Sequence, residues 1–254
     1  MLNSTQRFSS RVENYIKYRP HYPPAVIDLL RHECGLSPGS VIADVGSGTG
    51  ILTELLLTNG TPVFGVEPNK EMREAAERLL SKYPNFKSIN GTAEVTTLPN
   101  QSVDIVTAGQ AFHWFDRDQS RAEFRRILKL GGWVVLLWND RNISDRPFFK
   151  AYENLLVTYG TDYDAVGAKH VDEQTVGSFF GTRAFRRTHF PNEQVFDYDG
   201  LKGRLLSSSY APEPGHPKHT PMLDALSAIF QEHQTGGKVT FEYDTTVYYG
   251  RLAA

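Results

Sequence analysis

The stretch Val41-Ile42-Ala43-Asp44-Val45-Gly46-Ser47-Gly48-Thr49-Gly50-Ile51-Leu52 decides how this chain is read. An apolar, β-branched run passes into three glycines at alternate positions, and a helix-forming run, Leu52 to Thr58, follows directly. Glycines let the backbone turn sharply and bring main-chain N–H groups against a ligand. Asp44 stands two positions before the first glycine, and Glu67 closes the next apolar run, Val63-Phe64-Gly65-Val66. The separation, 67 − 44 = 23 residues, is close to the roughly 20 expected for a carboxylate that hydrogen-bonds ribose hydroxyls. A dinucleotide fingerprint wants its third glycine at position 51, which is Ile, and a phosphate-binding P-loop needs Gly-Lys-Ser/Thr where Gly50-Ile51-Leu52 stands. An acid at Asp44 sits badly beside a pyrophosphate but well near an ammonium or sulfonium group. The loop fits one ribose without a bridging diphosphate.

Outward from this loop, strand-like and helix-like segments alternate. Pro23-Pro24 opens a helical stretch from Ala25 to Glu33 that Gly35 and Pro38 close. Short apolar runs at Val41–Ala43, Val63–Val66, Phe86–Ile89, Val103–Val106 and Trp133–Trp138 read as strands. Helical patterns at Leu52–Thr58, Lys70–Lys82 and Asp118–Leu130 lie between them. This is an α/β chain with a doubly wound, mostly parallel sheet. After Asn139 the rhythm breaks into a helix at Arg146–Tyr159, a second opened by Asp172, extended chain over Ala184–Tyr198, a short helix after Asp199 and a third at Thr220–His233. Tyr210 to Pro217, rich in Pro and Gly, reads as a loop, and Lys238–Tyr249 as a terminal strand after the Gly236-Gly237 turn.

Composition bounds the partners. The 254 residues are 40% hydrophobic and 22% charged, with 15 Phe, 12 Tyr and 3 Trp, enough to bury a core. The net charge of −2 gives no global basic field for nucleic acid or anionic lipid. The longest apolar run is far too short to span a bilayer. The opening Met1–Arg11 lacks the apolar stretch of a secretory signal, so a cytoplasmic protein is expected. The single Cys34 allows no internal disulfide, and His216 and His219 lack further metal ligands nearby, so no metal site is expected.

The motifs together resemble the class I S-adenosylmethionine-dependent methyltransferases: the Val41–Gly50 stretch, Val66-Glu67-Pro68-Asn69, Gly91-Thr92-Ala93-Glu94 and Val103–Val106. Gln110-Ala111-Phe112-His113-Trp114-Phe115-Asp116, with Phe124–Trp133, is similar to the "type 11" branch that includes trans-aconitate methyltransferase-like proteins. Tyr18–Pro23 and Ser209–Pro212 are similar to elements of that branch. The resemblance implies a Rossmann-like sheet with an antiparallel C-terminal strand and a helical cap, and S-adenosylmethionine as cofactor. It further implies that Gly46, Ser47, Gly48 and Gly50 approach the methionine moiety and Asp44 orients its amino end. Glu67 would take the ribose hydroxyls, Pro68 and Asn69 would wall the adenine, Ala93 and Glu94 would read its edge, and Gln110 would lie beneath the sulfonium.

One methyltransferase domain over 1–254 is expected, with residues 36–140 as cofactor core, 1–35 and 141–235 as lid and substrate cap, and 236–254 as the terminal strand. Transfer to a small organic acceptor, at a carboxylate or hydroxyl oxygen, is the favoured reading. Tyr15, Tyr18, Arg19, His113, Trp114 and Tyr210 are the candidate acceptor wall, with His113 the candidate base. Each has a plainer alternative, such as a packed His-Trp pair or a snorkelling surface Arg. A non-catalytic cofactor-binding module and an NAD-dependent oxidoreductase remain as rival classes, and monomer and homodimer are both open.

Overall fold

Short buried strands running into glycines or polar turns set the architecture. The computed structural model describes residues 12–141, 146–163, 172–181 and 185–253. The segment 1–11 and Ala184, the expected start of the extended run, lie outside them. The first part of the chain forms α1 (Val12–Tyr18), α2 (Ala25–Cys34), β1 (Ile42–Val45), α3 (Ile51–Leu57), β2 (Val63–Val66), α4 (Lys70–Leu79) and β3 (Phe86–Ile89). Next come β4 (Val103–Gly109), a 3-10 turn (Phe112–Trp114), α5 (Arg117–Ile127) and β5 (Leu128–Arg141). The remainder is α6 (Pro147–Tyr159), α7 (Glu173–Phe180), β6 (Arg186–Phe196), α8 (Tyr198–Leu206), α9 (His219–His233) and β7 (Val239–Gly250).

The strands form one sheet in the order β3-β2-β1-β4-β5-β7-β6. β1 to β5 are parallel, and β7 runs antiparallel between β5 and β6. Because β1 is flanked by β2 and β4, the chain reverses its direction of travel across the sheet there, and a crevice opens beyond the strand carboxyl ends. Neighbouring strand residues serve opposite faces. Ala43, Val106, Val134 and Leu136 join a core with Phe112, Phe124 and Phe180, whereas Ile42, Ile105, Val135 and Leu137 pack with Val26, Leu30 and Leu56. A third cluster lies under the cap, where Phe149 and Tyr152 of α6, Leu201 and Leu205 of α8 and Leu226 of α9 meet Phe241 and Tyr243 of β7.

Local chemistry fixes the helix ends. Gly35 ends α2 in the left-handed conformation at φ 69°. Asn69, Asp116, Asp172 and Asp197 each accept a backbone N–H at the start of α4, α5, α7 and α8. The last of these places the start of α8 two residues before the expected Asp199. The extended run after Ala184 is a full sheet strand, since β6 pairs with β7 along its length. β5 is longer than Trp133–Trp138 and takes over Leu128–Leu130 from the expected helix, through a register shift against β4. Among the described residues, no helix is long and apolar enough to cross a membrane.

Helix α1 lies against α8. A Cβ on Gly203 would meet the Tyr18 ring at 2.0 Å, so only glycine lets the two come together. Gln194 donates to the Tyr18 carbonyl at 3.2 Å, and Asn192 donates to the His21 carbonyl at 2.7 Å. On the other side of the sheet Phe112, fully buried, meets Phe115, Trp138 and Phe179 edge-on, at centroid separations of 6.0, 6.2 and 4.6 Å. Phe112→Ala should lower unfolding free energy by about 3–5 kcal/mol in urea titrations, the scale for a buried aromatic. A loss below about 1 kcal/mol would mean that this cluster does not anchor the turn after β4.

Candidate active site

The carboxyl ends of β1, β2, β4 and β5 bring the motif residues to one crevice with two lobes. One lobe, about 300 Å³, is lined by Gly46, Gly48, Glu67, Pro68, Asn69, Ala93 and Glu94, with Trp114 and Phe115 closing it. The other, about 420 Å³, is lined by Arg19, Tyr22, Asp44, Ser47, Asn139, Arg141, Tyr163, Arg204 and Tyr210 among others. Gly46, Gly109, Gln110 and Tyr15 line both. The volumes are of the class that encloses small molecules.

The glycine loop is held from two sides. Asp44 is 1% exposed, and its carboxylate accepts the hydroxyls of Thr53 at 2.6 Å and Thr107 at 2.9 Å. Thr107 is the register partner of Asp44 across the β1–β4 ladder, and Thr53 lies one turn into α3, so this carboxylate joins strand, strand and helix. The Glu67 carboxylate accepts the Gly48 N–H at 2.9 Å and the Asn69 N–H at 2.8 Å, which fixes the loop tip over the end of β2. Arg73 caps the same turn by donating to the Glu67 carbonyl at 3.0 Å.

The three glycines have different reasons. A Cβ on Gly46 would lie 2.5 Å from that of Ala111, and one on Gly50 would lie 2.7 Å from the Leu80 side chain. Gly48, at φ +56°, has open space there, on the side of the smaller lobe. Gly50 lines neither lobe and serves the packing of α3 on α4. Gln110 is a non-glycine residue at φ 56°, a conformation that costs about 1–2 kcal/mol. It is held there by its N–H on the Leu137 carbonyl at 2.9 Å and its side-chain amide on the Asn139 carbonyl at 3.1 Å. Strain of this kind sits where the two lobes meet.

The other candidates divide between the lobes. Tyr15 spans both, Arg19 and Tyr210 face the larger one, and Trp114 belongs to the smaller one. His113 lines neither lobe; its ring tilts against Trp114 at 4.8 Å. Tyr18 packs on Gly203 instead of reaching the lobe. One Glu94 oxygen is engaged by the Asp116 N–H at 2.9 Å. Sequence reasoning missed Arg141 and Arg204. A usable signal for Arg204 was present: it shares the apolar face of α8 with Gly200, Leu201 and Leu205, where an arginine is out of place.

The larger lobe is unusual in its charge. Arg204 is 5% exposed, donates to the Tyr243 hydroxyl at 2.9 Å and to Ser208 Oγ at 3.2 Å, and lies over the Phe241 and Tyr243 rings. Arg141 pairs with Glu153 at 3.1 Å and donates to the Tyr163 hydroxyl, which itself donates to Glu153 at 2.5 Å. Burial would raise the Tyr210 hydroxyl, but Arg141, Arg204 and Arg19 outweigh it and hold it below the ordinary tyrosine value.

Residues 43–136 match the family described as "Methyltransferase domain". An uncharacterized methyltransferase of Schizosaccharomyces pombe is 33% identical over 248 residues, covering 95% of each chain. The chain belongs to the class I S-adenosylmethionine-dependent methyltransferases. A second S. pombe protein, an uncharacterized methyltransferase-like one, is 27% identical over 95% of this methyltransferase and 93% of its own length. Among solved structures, a type II methyltransferase assignment from Anaeromyxobacter dehalogenans covers 92% of this methyltransferase and 98% of that chain, at TM-score 0.63 and 24% identity, and so shares the fold.

Burial, the largest influence, pushes the Asp44 carboxyl from 3.8 to about 6 against the two threonine hydrogen bonds. A carboxyl raised on folding stabilises the fold when protonated, and that contribution is lost as pH rises through about 6. Relative to wild type, Asp44→Asn should therefore gain about 2 kcal/mol in urea-derived stability between about pH 4.5 and about pH 7.5. A stability difference that does not change with pH would show that burial does not set this carboxyl.

Proposed function

We propose that the methyltransferase moves the methyl group of S-adenosylmethionine to a carboxylate or hydroxyl oxygen of a small organic acceptor. The carrying observation is the wall shared by the two lobes, Gly46, Gly109 and Gln110, with Tyr15 above it. The smaller lobe suits the nucleoside end of the cofactor: Glu67 is near the loop tip, its carboxylate keeps lone pairs for ribose hydroxyls, and Pro68, Asn69 and Ala93 offer surfaces for a flat base. Asp44 and Ser47, in the larger lobe, suit a cationic amino acid end. The open space at Gly48 is a cradle that a Cβ would fill.

When bound, the cofactor supplies an already activated methyl group on a sulfonium. The chain then has to align an acceptor oxygen on the line through methyl and sulfur, and to keep water out. Gln110, pinned in its strained conformation, defines the plane between donor and acceptor. Tyr15, Tyr22, Tyr163 and Tyr210 wall the acceptor lobe, and α1 covers it. A carboxylate acceptor needs no base. A hydroxyl acceptor has Tyr210, held below the ordinary tyrosine value by the arginines, rather than His113, as its candidate base.

Isothermal titration should give binding of S-adenosylmethionine and none of NAD. Glu67→Ala should weaken the former by about 1.5–3 kcal/mol, the scale for lost hydrogen bonds to a charged group. Gly48→Ala should fold, since no protein atom blocks its Cβ, yet lose most of the cofactor affinity. Release of S-adenosylhomocysteine across a panel of organic acids, alcohols and amines tests the acceptor class. Turnover confined to amines would sink the oxygen-acceptor reading, and unchanged affinity in both variants would move the cofactor elsewhere.

A further inference from the structure

Two guanidinium groups in the acceptor lobe face tyrosine hydroxyls but have no carboxylate partner among the described residues. Arg19, at the end of α1, donates through Nη2 to the Ser207 carbonyl at 2.8 Å, and its Nε is buried without a hydrogen-bond partner. Arg204, on α8, is held by Tyr243 and by Ser208 Oγ. The two are therefore gathered at the same turn, Ser207-Ser208, from opposite sides. No carboxylate among the described residues forms an ion pair with either, whereas Arg141 in the same lobe has Glu153. Of the acids lining the same lobe, Asp44 is turned to Thr53 and Thr107, and Asp140 accepts from Thr246 at 3.2 Å. Burial and the proximity of Arg204 both depress Arg19. Aromatic rings soften the charges: Arg19 lies over Tyr15 at 4.9 Å and Arg204 over Phe241 at 5.6 Å. They do not neutralise them, and a buried charge is tolerated when an opposite one completes it.

We infer that the missing counter-ion is an oxyanion on the acceptor, shared by Arg19 and Arg204, and that by bridging them it fastens α1 to α8 over both lobes. This rests on the acceptor lobe proposed above and assigns Arg204 as a specificity-determining residue. A planar guanidinium pair suits the two oxygens of a carboxylate or of a phosphate equally. Arg19 and Arg204 repel while the lobe holds no anion, and α1 is held on α8 against that repulsion by the Tyr18–Gly203 contact, the Arg19–Ser207 bond and the attraction of Lys17 to Asp197 and Asp199. The anion converts that repulsion into attraction. Because Tyr15, on the same helix, lines both lobes, closing α1 on the acceptor also retains the cofactor, and the two ligands bind cooperatively.

The test uses the full chain with S-adenosylhomocysteine, first alone and then with glutarate, inorganic phosphate or the neutral diamide of glutarate. Glutarate or phosphate should tighten S-adenosylhomocysteine about tenfold, and the diamide should not; whichever anion is stronger identifies the oxyanion class. Tryptic cleavage at the exposed Lys17 should slow about fivefold under the same condition, the same coupling read at the helix. Arg204→Met should abolish both effects and Arg204→Lys should keep part of them. If Arg204→Met unfolds, Arg19→Met, just past the end of α1, carries the comparison and should lose the same coupling. Equal effects from diamide and glutarate, no effect from either anion, or full coupling in folded Arg19→Met would each overturn the inference. Failure of S-adenosylhomocysteine to bind at all would instead bring down the cofactor reading, so the two failures are told apart by the first titration.

Discussion

The buried carboxylate of Asp44 is the constraint on which the crevice depends. One oxygen takes the hydroxyl of Thr53 and the other that of Thr107. The reversal of chain direction at β1 is thereby tied to the strand beside it and to the helix after the glycine loop. A polar group so deep costs free energy unless its hydrogen bonds are complete. Here they are complete only when β1, β4 and α3 are all in place. Glu67 repeats the device one strand away, with one oxygen accepting the N–H of Gly48 and the other that of Asn69. Two acids, each satisfied from several elements, make the loop rigid before any ligand arrives.

Rigidity on this side contrasts with the construction of the other lobe. Its outer walls come from Tyr15 and Arg19 at α1, Arg141 at the end of β5, Tyr163, Arg204 of α8 and Tyr210, groups tied in by aromatic packing and by single hydrogen bonds such as Gln194 to Tyr18 and Arg204 to Tyr243. In the arrangement proposed above, a cofactor common to a whole superfamily would meet a preformed loop, whereas the acceptor would meet tyrosines and arginines brought in from distant parts of the chain. The fold thus separates what is shared from what is particular.

That separation explains what could be read from sequence. The five parallel strands were legible because each is a short apolar run bounded by turns, and the cofactor motif because its residues lie within a few positions of strand ends. The cap Asp172 is likewise a local signal. The acceptor lobe was not legible, because Arg141 and Arg204 meet only through the pairing of β5 with β7 and the packing of α8 beneath it. His113 drew attention through its neighbour Trp114 and its place after β4, but the 3-10 turn buries Phe112 and leaves His113 outside both lobes. β6 was read as extended chain because its alternation is weak; its register comes from β7, forty residues later.

The position of β7 has a consequence for synthesis. It lies between β5 and β6, yet it follows both in the chain. Until residues 239–250 leave the ribosome, β6 has no neighbour to pair with and Tyr243 is absent from the arginine it holds. The half built on β1 to β5 has all its parallel partners once residue 141 is made, and it can take shape early. The half that recognises the second molecule waits for a long-range closure, which is slow to form. A nascent or truncated chain lacking this strand would therefore expose the aromatic face of α6 and the leucines of α8, and it is that intermediate, rather than the finished protein, that chaperones would have to guard.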